Sequence, residues 1–277
     1  ILVTFDPHPL EIVNPTAAPP LLTIGVEKLE VLAEGGIDYL AVVPFTPTLR
    51  SYSAEQFVDL VLLRRFRVQE LLVGYDHGFG RGREGEVEVM RELGRLRGFE
   101  VDVVDAVTLP DGRPVWSTTI RRAIAGGDLQ RAAQGLGRPY SVSGHVVRGA
   151  QRGRALGFPT LNLDPVSPRK LLPPEGVYAV RVQTPGGPFG GMMNLGPRPT
   201  FGDPTVTLEA HLFDATGDLY GAWVRVEFMA RLREVPTGDD AELGGEPLKQ
   251  DRHEVRDEND AEQRVSEPRS AGEVGGP

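Results

Sequence analysis

Apolar residues recur along this chain with two different periods. In residues 1 to 110, short β-branched runs (ILVTF, YLAVVPF, ELLVG, EVDVVDAV) alternate with segments whose apolar positions return every three to four residues (VEKLEVLAEGG, AEQFVDLVLLRRF, EVEVMRELGRLRG). That alternation predicts a parallel sheet with crossover helices. The strand runs lack strict alternation, as expected of strands covered on both faces. Such a half is Rossmann-like, and ligands in that architecture gather at the carboxyl ends of the strands.

After Tyr140 the period drops to two. SVSGHVVR, GVYAVRVQ, GGMMNLG, TVTLEAHLF and WVRVEFMARL follow one another with Gly and Pro between them, the pattern of antiparallel strands closing into a small β-barrel. Residues 117–135 read as a helical connector, with Asp128 placed to cap a second short helix. From Pro236 onward neither period persists and Gly, Pro and charge dominate, which predicts a disordered tail. The expected organisation is therefore an α/β domain over 1–125, a barrel over 126–235 and a tail over 236–277. The chain opens directly in a strand, so a preceding segment is expected to be missing.

Composition narrows the chemistry. The chain has no cysteine, which removes disulfides, thiolate nucleophiles and cysteine zinc sites. Its histidines, at 8, 77, 145, 211 and 253, show no metal-ligand spacing. The net charge of −9 argues against nucleic-acid binding, although the tail, with 12 acidic and 5 basic residues, carries −7 of it. No apolar run is long enough to span a membrane, and the N-terminus lacks a secretion layout. These features read as a soluble, cytoplasmic protein.

The stretch GRALGFPTLNL, residues 153–163, holds the densest candidate chemistry. Gly149, Gly153 and Gly157 allow a backbone to approach phosphate oxygens closely. In an extended segment Thr160 and Asn162 point to one side and offer two hard oxygens, the ligand type magnesium accepts. The same pair fits a hydrogen-bonded turn equally well. In TVTLEAHLFD, Val206, Leu208, Ala210 and Leu212 form one face and Thr207, Glu209 and His211 the other. A carboxylate there suits proton removal from an attacking hydroxyl, as phosphoryl transfer to an alcohol requires. A solvated surface glutamate has the same pattern. In the first half, TFDPHP (4–9), GYDHGFGRGREG (74–85) and STTIRR (117–122) fall at strand ends or helix starts, where anions bind. An ordinary helix cap, a turn loop and a solvent-facing arginine are the plain alternatives.

Taken in order, these segments, with SGHVVRGAQRGRALGFPTLNL, PPEGVYAV, NLGPRPTFG and LEAHLFD, resemble the bacterial bifunctional riboflavin kinase and FMN adenylyltransferase family, over roughly residues 1–235. The resemblance implies a nucleotidyltransferase-type α/β domain followed by a six-stranded kinase barrel. It implies that Gly149, Gly153 and Gly157 form the ATP-phosphate loop, that Thr160 and Asn162 hold magnesium, and that Glu209 is the base activating the riboflavin hydroxyl. In the first domain it implies flavin and nucleotide contacts from Pro7, His8, Pro9, Asp76 and Phe79, and phosphate contacts from Ser117, Thr118 and Arg121. The substrates implied are riboflavin, FMN and ATP. Three departures stand out: Leu161 replaces the family's alanine, the histidine signature G-x-F-D-G-x-H-x-G-H is absent, and the tail lacks the closing amphipathic helix. Without those histidines FMN formation is expected to outlast FAD formation. The competing expectation is a flavin- and adenine-nucleotide-binding protein with little turnover, and a third is a nucleotidyltransferase of other substrate that acquired a barrel.

Overall fold

The computed structural model describes residues 1–75, 86–148, 160–164, 166–197, 206–215 and 217–234. By their contacts they form two compact units, one of residues 1–20 and 28–116, the other of residues 21–27 and those from Ser117 on. The helix 117–125, expected as part of a connector at the end of the α/β domain, and the short segment 21–27 cluster with the barrel.

In the first unit β1 (Leu2–Asp6) runs parallel to β2 (Leu40–Pro44), and β3 (Glu70–Gly74) parallel to β4 (Glu100–Val104). The crossover between β1 and β2 carries α1 (Pro9–Val13) and α2 (Gly25–Ala33), and that between β3 and β4 carries α5 (Val87–Arg97). The sequence pattern predicts one sheet, whereas the described strands pair as two separate two-stranded ribbons. A shared core still joins them: Phe5 of β1, Leu71 of β3 and Val101 of β4 pack against Phe57, Val58, Val61, Leu62, Met90, Leu93 and Phe99.

Helix α5 shows why these residues fold locally as they do. Val87, Met90, Leu93 and Gly94 form its buried stripe at helical spacing. Gly98 ends it in a left-handed conformation, φ 81°, that only glycine adopts without strain. Upstream, α3 (Pro47–Arg50) is capped by Thr46 and α4 (Ala54–Phe57) by a Ser53–Gln56 capping box. The segment AEQFVDLVLLRRF does not continue as one α-helix, because after Phe57 it widens into a π-helical turn, Val58–Leu63, that buries Val58, Val61 and Leu62 together.

The second unit begins with α6 (Ser117–Ala125) and α7 (Leu129–Leu136), the latter capped by Asp128, whose carboxylate accepts from Arg131 N at 3.0 Å. Six antiparallel strands follow: β5 (Tyr140–Val147), β6 (Thr160–Leu163), β7 (Gly176–Thr184), β8 (Gly187–Pro197), β9 (Val206–Leu212) and β10 (Trp223–Arg233). They close into a barrel in the order β10-β5-β6-β9-β8-β7. Its interior is filled by alternate residues, among them Tyr140, Val142, Tyr178, Val180, Met193, Leu195, Leu208, Val226 and Phe228. Phe228 lies stacked on Tyr140 and edge-on to Tyr178, with ring centroids 6.2 and 5.2 Å away. Gly191 lets β8 approach β9 so closely that a Cβ there would collide with the His211 carbonyl.

A buried ion pair holds the segment 21–27 in the barrel unit. Leu21 exchanges backbone hydrogen bonds with the Arg169–Leu171 segment, and the Lys170 side chain donates to Glu27 Oε1 at 2.6 Å, Leu22 O at 2.7 Å and Ser141 O at 2.7 Å. All three ammonium protons are satisfied, and the charge lies 4.5 Å from the Tyr140 ring centroid. Burial pushes the Lys170 ammonium down to about 8 and the Glu27 carboxyl up, each against its partner's pull. Removing one partner strands the other in a dry site. Lys170→Met is expected to cost about 3–5 kcal/mol in urea denaturation, and Glu27→Leu combined with it to cost less than that single change. A double variant as unstable as the sum of the singles would contradict this coupling.

Candidate functional site

The outer face of the barrel gathers the polar residues that its strands cannot bury. In β6, Leu161 and Leu163 are buried while Thr160 and Asn162 are half-buried on the opposite face. In β9, Leu208, Ala210 and Leu212 are buried, and Thr207, Glu209 and His211 alternate with them. The antiparallel register sets Asn162 opposite Glu209 and Thr160 opposite His211. Diagonally across this pair, Thr160 Oγ1 donates a hydrogen bond of 2.5 Å to Glu209 Oε1. Three residues predicted from two separate stretches of sequence therefore meet on one face, as cross-strand neighbours. His211 also lies edge-on to Phe213, ring centroids 5.7 Å apart. Gly149, Gly153 and Gly157, expected to cradle phosphate beside them, lie outside the described residues.

The donor set fits a hard divalent cation. A hydroxyl, an amide oxygen and a carboxylate share one half-buried surface, and magnesium takes oxygen ligands of these kinds while keeping several waters. Thr160 and Asn162 are the residues that would hold it, with Glu209 beside them. Among the described residues no group of three or more His, Cys, Asp or Glu side chains is arranged to hold a metal ion.

Asn194, the first residue of the quoted segment NLGPRPTFG, is a further polar residue that sequence reasoning did not single out. On β8 it stands directly opposite Glu209, on the side away from Asn162. The readable signal is one amide in the otherwise apolar and glycine-rich run GGMMNLG, between buried Met193 and Leu195.

The predicted residues of the α/β half fall into two clusters. Pro7, His8 and Pro9 follow the carboxyl end of β1, where Pro7 sits after a cis peptide bond. His8 is the N-cap of α1: its Nδ1 accepts from Leu10 N at 3.2 Å, and its own backbone N–H donates to Glu11 Oε2 at 2.7 Å. Pro9 occupies the first helical position, where its missing N–H costs nothing. Ser117 and Thr118 are exposed at the start of α6. Arg121 is half-buried one turn later, and burial pushes its guanidinium down. Residues 7–9 belong to the first unit and 117–121 to the second. Asp76 and Phe79 lie outside the described residues.

Comparison with known proteins decides the family. Residues 1–119 match the family model described as FAD synthetase, and residues 136–257 the one described as riboflavin kinase. The second match extends beyond residue 235, where the periodicity of the strands ends. The bifunctional riboflavin kinase/FMN adenylyltransferase of Escherichia coli strain K12 is 39% identical over 84% of this chain and 74% of its own length. That of Pseudomonas fluorescens has the same identity and the same coverage. This chain belongs to the bifunctional riboflavin kinase/FMN adenylyltransferase family. Among solved structures, a Streptococcus pneumoniae protein described as a macrolide-efflux protein superposes with a TM-score of 0.76 at 28% identity, over 92% of this chain and 82% of that one. Among the described residues no helix is long and apolar enough to cross a membrane.

Family membership makes the role of His8 testable. Its imidazole serves as a helix cap in this structure, a task that serine performs as well. His8→Ala is expected to cost about 1 kcal/mol of stability in urea denaturation, whereas His8→Ser is expected to remain within about 0.5 kcal/mol of the parent. Equal losses in the two variants would show that the cap is not what the side chain contributes to stability.

Proposed function

We propose that the barrel unit transfers the γ-phosphoryl group of ATP to the 5′-hydroxyl of riboflavin, giving FMN, and that the α/β half joins FMN to the adenylyl group of a second ATP, giving FAD. Membership of the bifunctional family supports both steps. The observation that carries the first is the Thr160–Glu209 hydrogen bond within the Asn162–Glu209 register.

The geometry supports a division of labour within the Glu209 carboxylate. Thr160 occupies Oε1, and among the described residues no hydrogen bond reaches Oε2. Oε2 is then the atom offered to the substrate hydroxyl. It takes the proton as the hydroxyl oxygen attacks the γ-phosphorus and the bond to the ADP oxygen breaks. Because one oxygen is already anchored, the carboxylate meets the substrate with little rotational freedom left to lose. Bound magnesium supplies charge neutralisation at the phosphate oxygens. Thr160 and Asn162 are its proposed protein ligands, and Gly149, Gly153 and Gly157 the proposed backbone contacts to the triphosphate.

In the adenylyl transfer an FMN phosphate oxygen attacks the α-phosphorus of ATP, and pyrophosphate leaves. Ser117, Thr118 and Arg121 are the proposed phosphate contacts. The half-buried guanidinium of Arg121, one turn from the exposed hydroxyls, supports this assignment. Pro7, His8 and Pro9, with Asp76 and Phe79, are the proposed nucleotide and flavin contacts.

The first step is tested by following FMN formation from riboflavin, ATP and magnesium in the full chain. Glu209→Gln is expected to lower turnover about 10²–10⁴-fold, while riboflavin binding, read from quenching of flavin fluorescence, changes less than about threefold. Unchanged turnover would remove Glu209 from the chemistry, and equal losses in turnover and binding would make it a binding residue instead.

A further inference from the structure

A row of directly opposed residues crosses the outer face of the barrel. Asn162 on β6 faces Glu209 on β9, Glu209 faces Asn194 on β8, and Asn194 faces Val177 on β7. Opposed residues of antiparallel strands project to the same side with Cβ atoms about 4.5–5.5 Å apart. The Glu209 carboxylate therefore stands between two primary amides. Their partners differ. Asn162 neighbours Thr160 on its own strand, among the proposed metal ligands, whereas Asn194 has a valine beyond it and buried Met193 and Leu195 before and after it.

Asn194 is half-buried, and its side-chain amide makes no hydrogen bond to the described residues. An amide contributes two N–H donors and one acceptor oxygen. The nearest charge in its row is an anionic acceptor with one oxygen already taken by Thr160. Hydrogen bonds of this kind are often long in a free enzyme and tighten when substrate arrives.

We infer that Asn194 is the positioning residue for the base: its side-chain N–H donates to the Glu209 carboxylate in the substrate complex and fixes the rotation that aims Oε2 at the riboflavin hydroxyl. The role rests on the reading of Glu209 as that base. Thr160 and Asn194 then grip the carboxylate from the two neighbouring strands, leaving the carboxylate one productive orientation. Asn194 itself touches neither substrate nor metal in this arrangement.

The test compares Asn194→Ala, Asn194→Asp and Asn194→Gln with Glu209→Gln in the full chain, measuring kcat and KM for riboflavin phosphorylation. Asn194→Ala is expected to lower kcat about tenfold with KM for riboflavin within twofold. Asn194→Asp has the same shape but puts a second anion beside Glu209 and lacks the donor, so it is expected to lose at least as much. Asn194→Gln keeps the donor and is expected to recover part of the loss. In the background of Glu209→Gln, Asn194→Ala is expected to cost less than twofold more, since the group it positions no longer acts as a base. The inference is overturned if Asn194→Asp and Asn194→Ala retain parental kcat while Glu209→Gln does not, or if the two losses multiply. A Glu209→Gln enzyme of parental activity would overturn the reading of the base along with the inference.

Discussion

The site depends on register. Side chains along a strand alternate between faces, so sliding β6 by one residue on β9 would bring Leu161 opposite Glu209 and bury Thr160 and Asn162 in the barrel. The alternation that fills the interior with Leu161, Leu163, Leu208, Ala210 and Leu212 is thus the same constraint that places Thr160, Asn162 and Glu209 together outside. Hydrophobic packing does the positioning, and the polar residues inherit it. The 2.5 Å hydrogen bond from Thr160 to Glu209 is a consequence of a register fixed by the apolar face.

The second strong constraint is electrostatic. Lys170 and Glu27 are separated by 143 positions in the chain and share a hydrogen bond in a site closed to solvent. Such a pair adds less stability than its short distance implies, because both charges lose their hydration. In this seat of the segment 21–27 all three ammonium protons are satisfied at once. Lys170 lies between β6 and β7, and Ser141, whose carbonyl it reaches, lies on β5 next to β6.

Much of this was legible in the sequence, and the exceptions share a cause. Strand by strand, the alternation in TLNL and TVTLEAHL places Thr160, Asn162 and Glu209 outward without any structure, because a period of two is a local signal. Which strand lies beside which is not local. Asn194 heads the quoted segment NLGPRPTFG, but its place opposite Glu209 is not readable there, because the methionines and glycines of GGMMNLG blur the alternation and the facing strand β9 is not fixed by local pattern. The Glu27–Lys170 pair joins distant segments for the same reason. In AEQFVDLVLLRRF the apolar period predicts a helix, yet the shared core accepts Val58, Val61 and Leu62 on a widened turn. His8 reads as a binding candidate from its place at a strand end, and the capping hydrogen bonds it also makes to α1 are not visible in that pattern. The resemblance to a bifunctional flavin enzyme needed no structure, because seven ordered motifs across 235 residues carry it.

The central claim is that the barrel's outer face presents one oxygen of Glu209 to the alcohol being phosphorylated. A crystal structure of the full chain with riboflavin, ADP and magnesium measures this directly. The account predicts the riboflavin 5′-hydroxyl at about 2.6–3.2 Å from Glu209 Oε2, with the metal held by Thr160 and Asn162. A flavin bound with that hydroxyl remote from Glu209, or a metal held by other side chains, would contradict it.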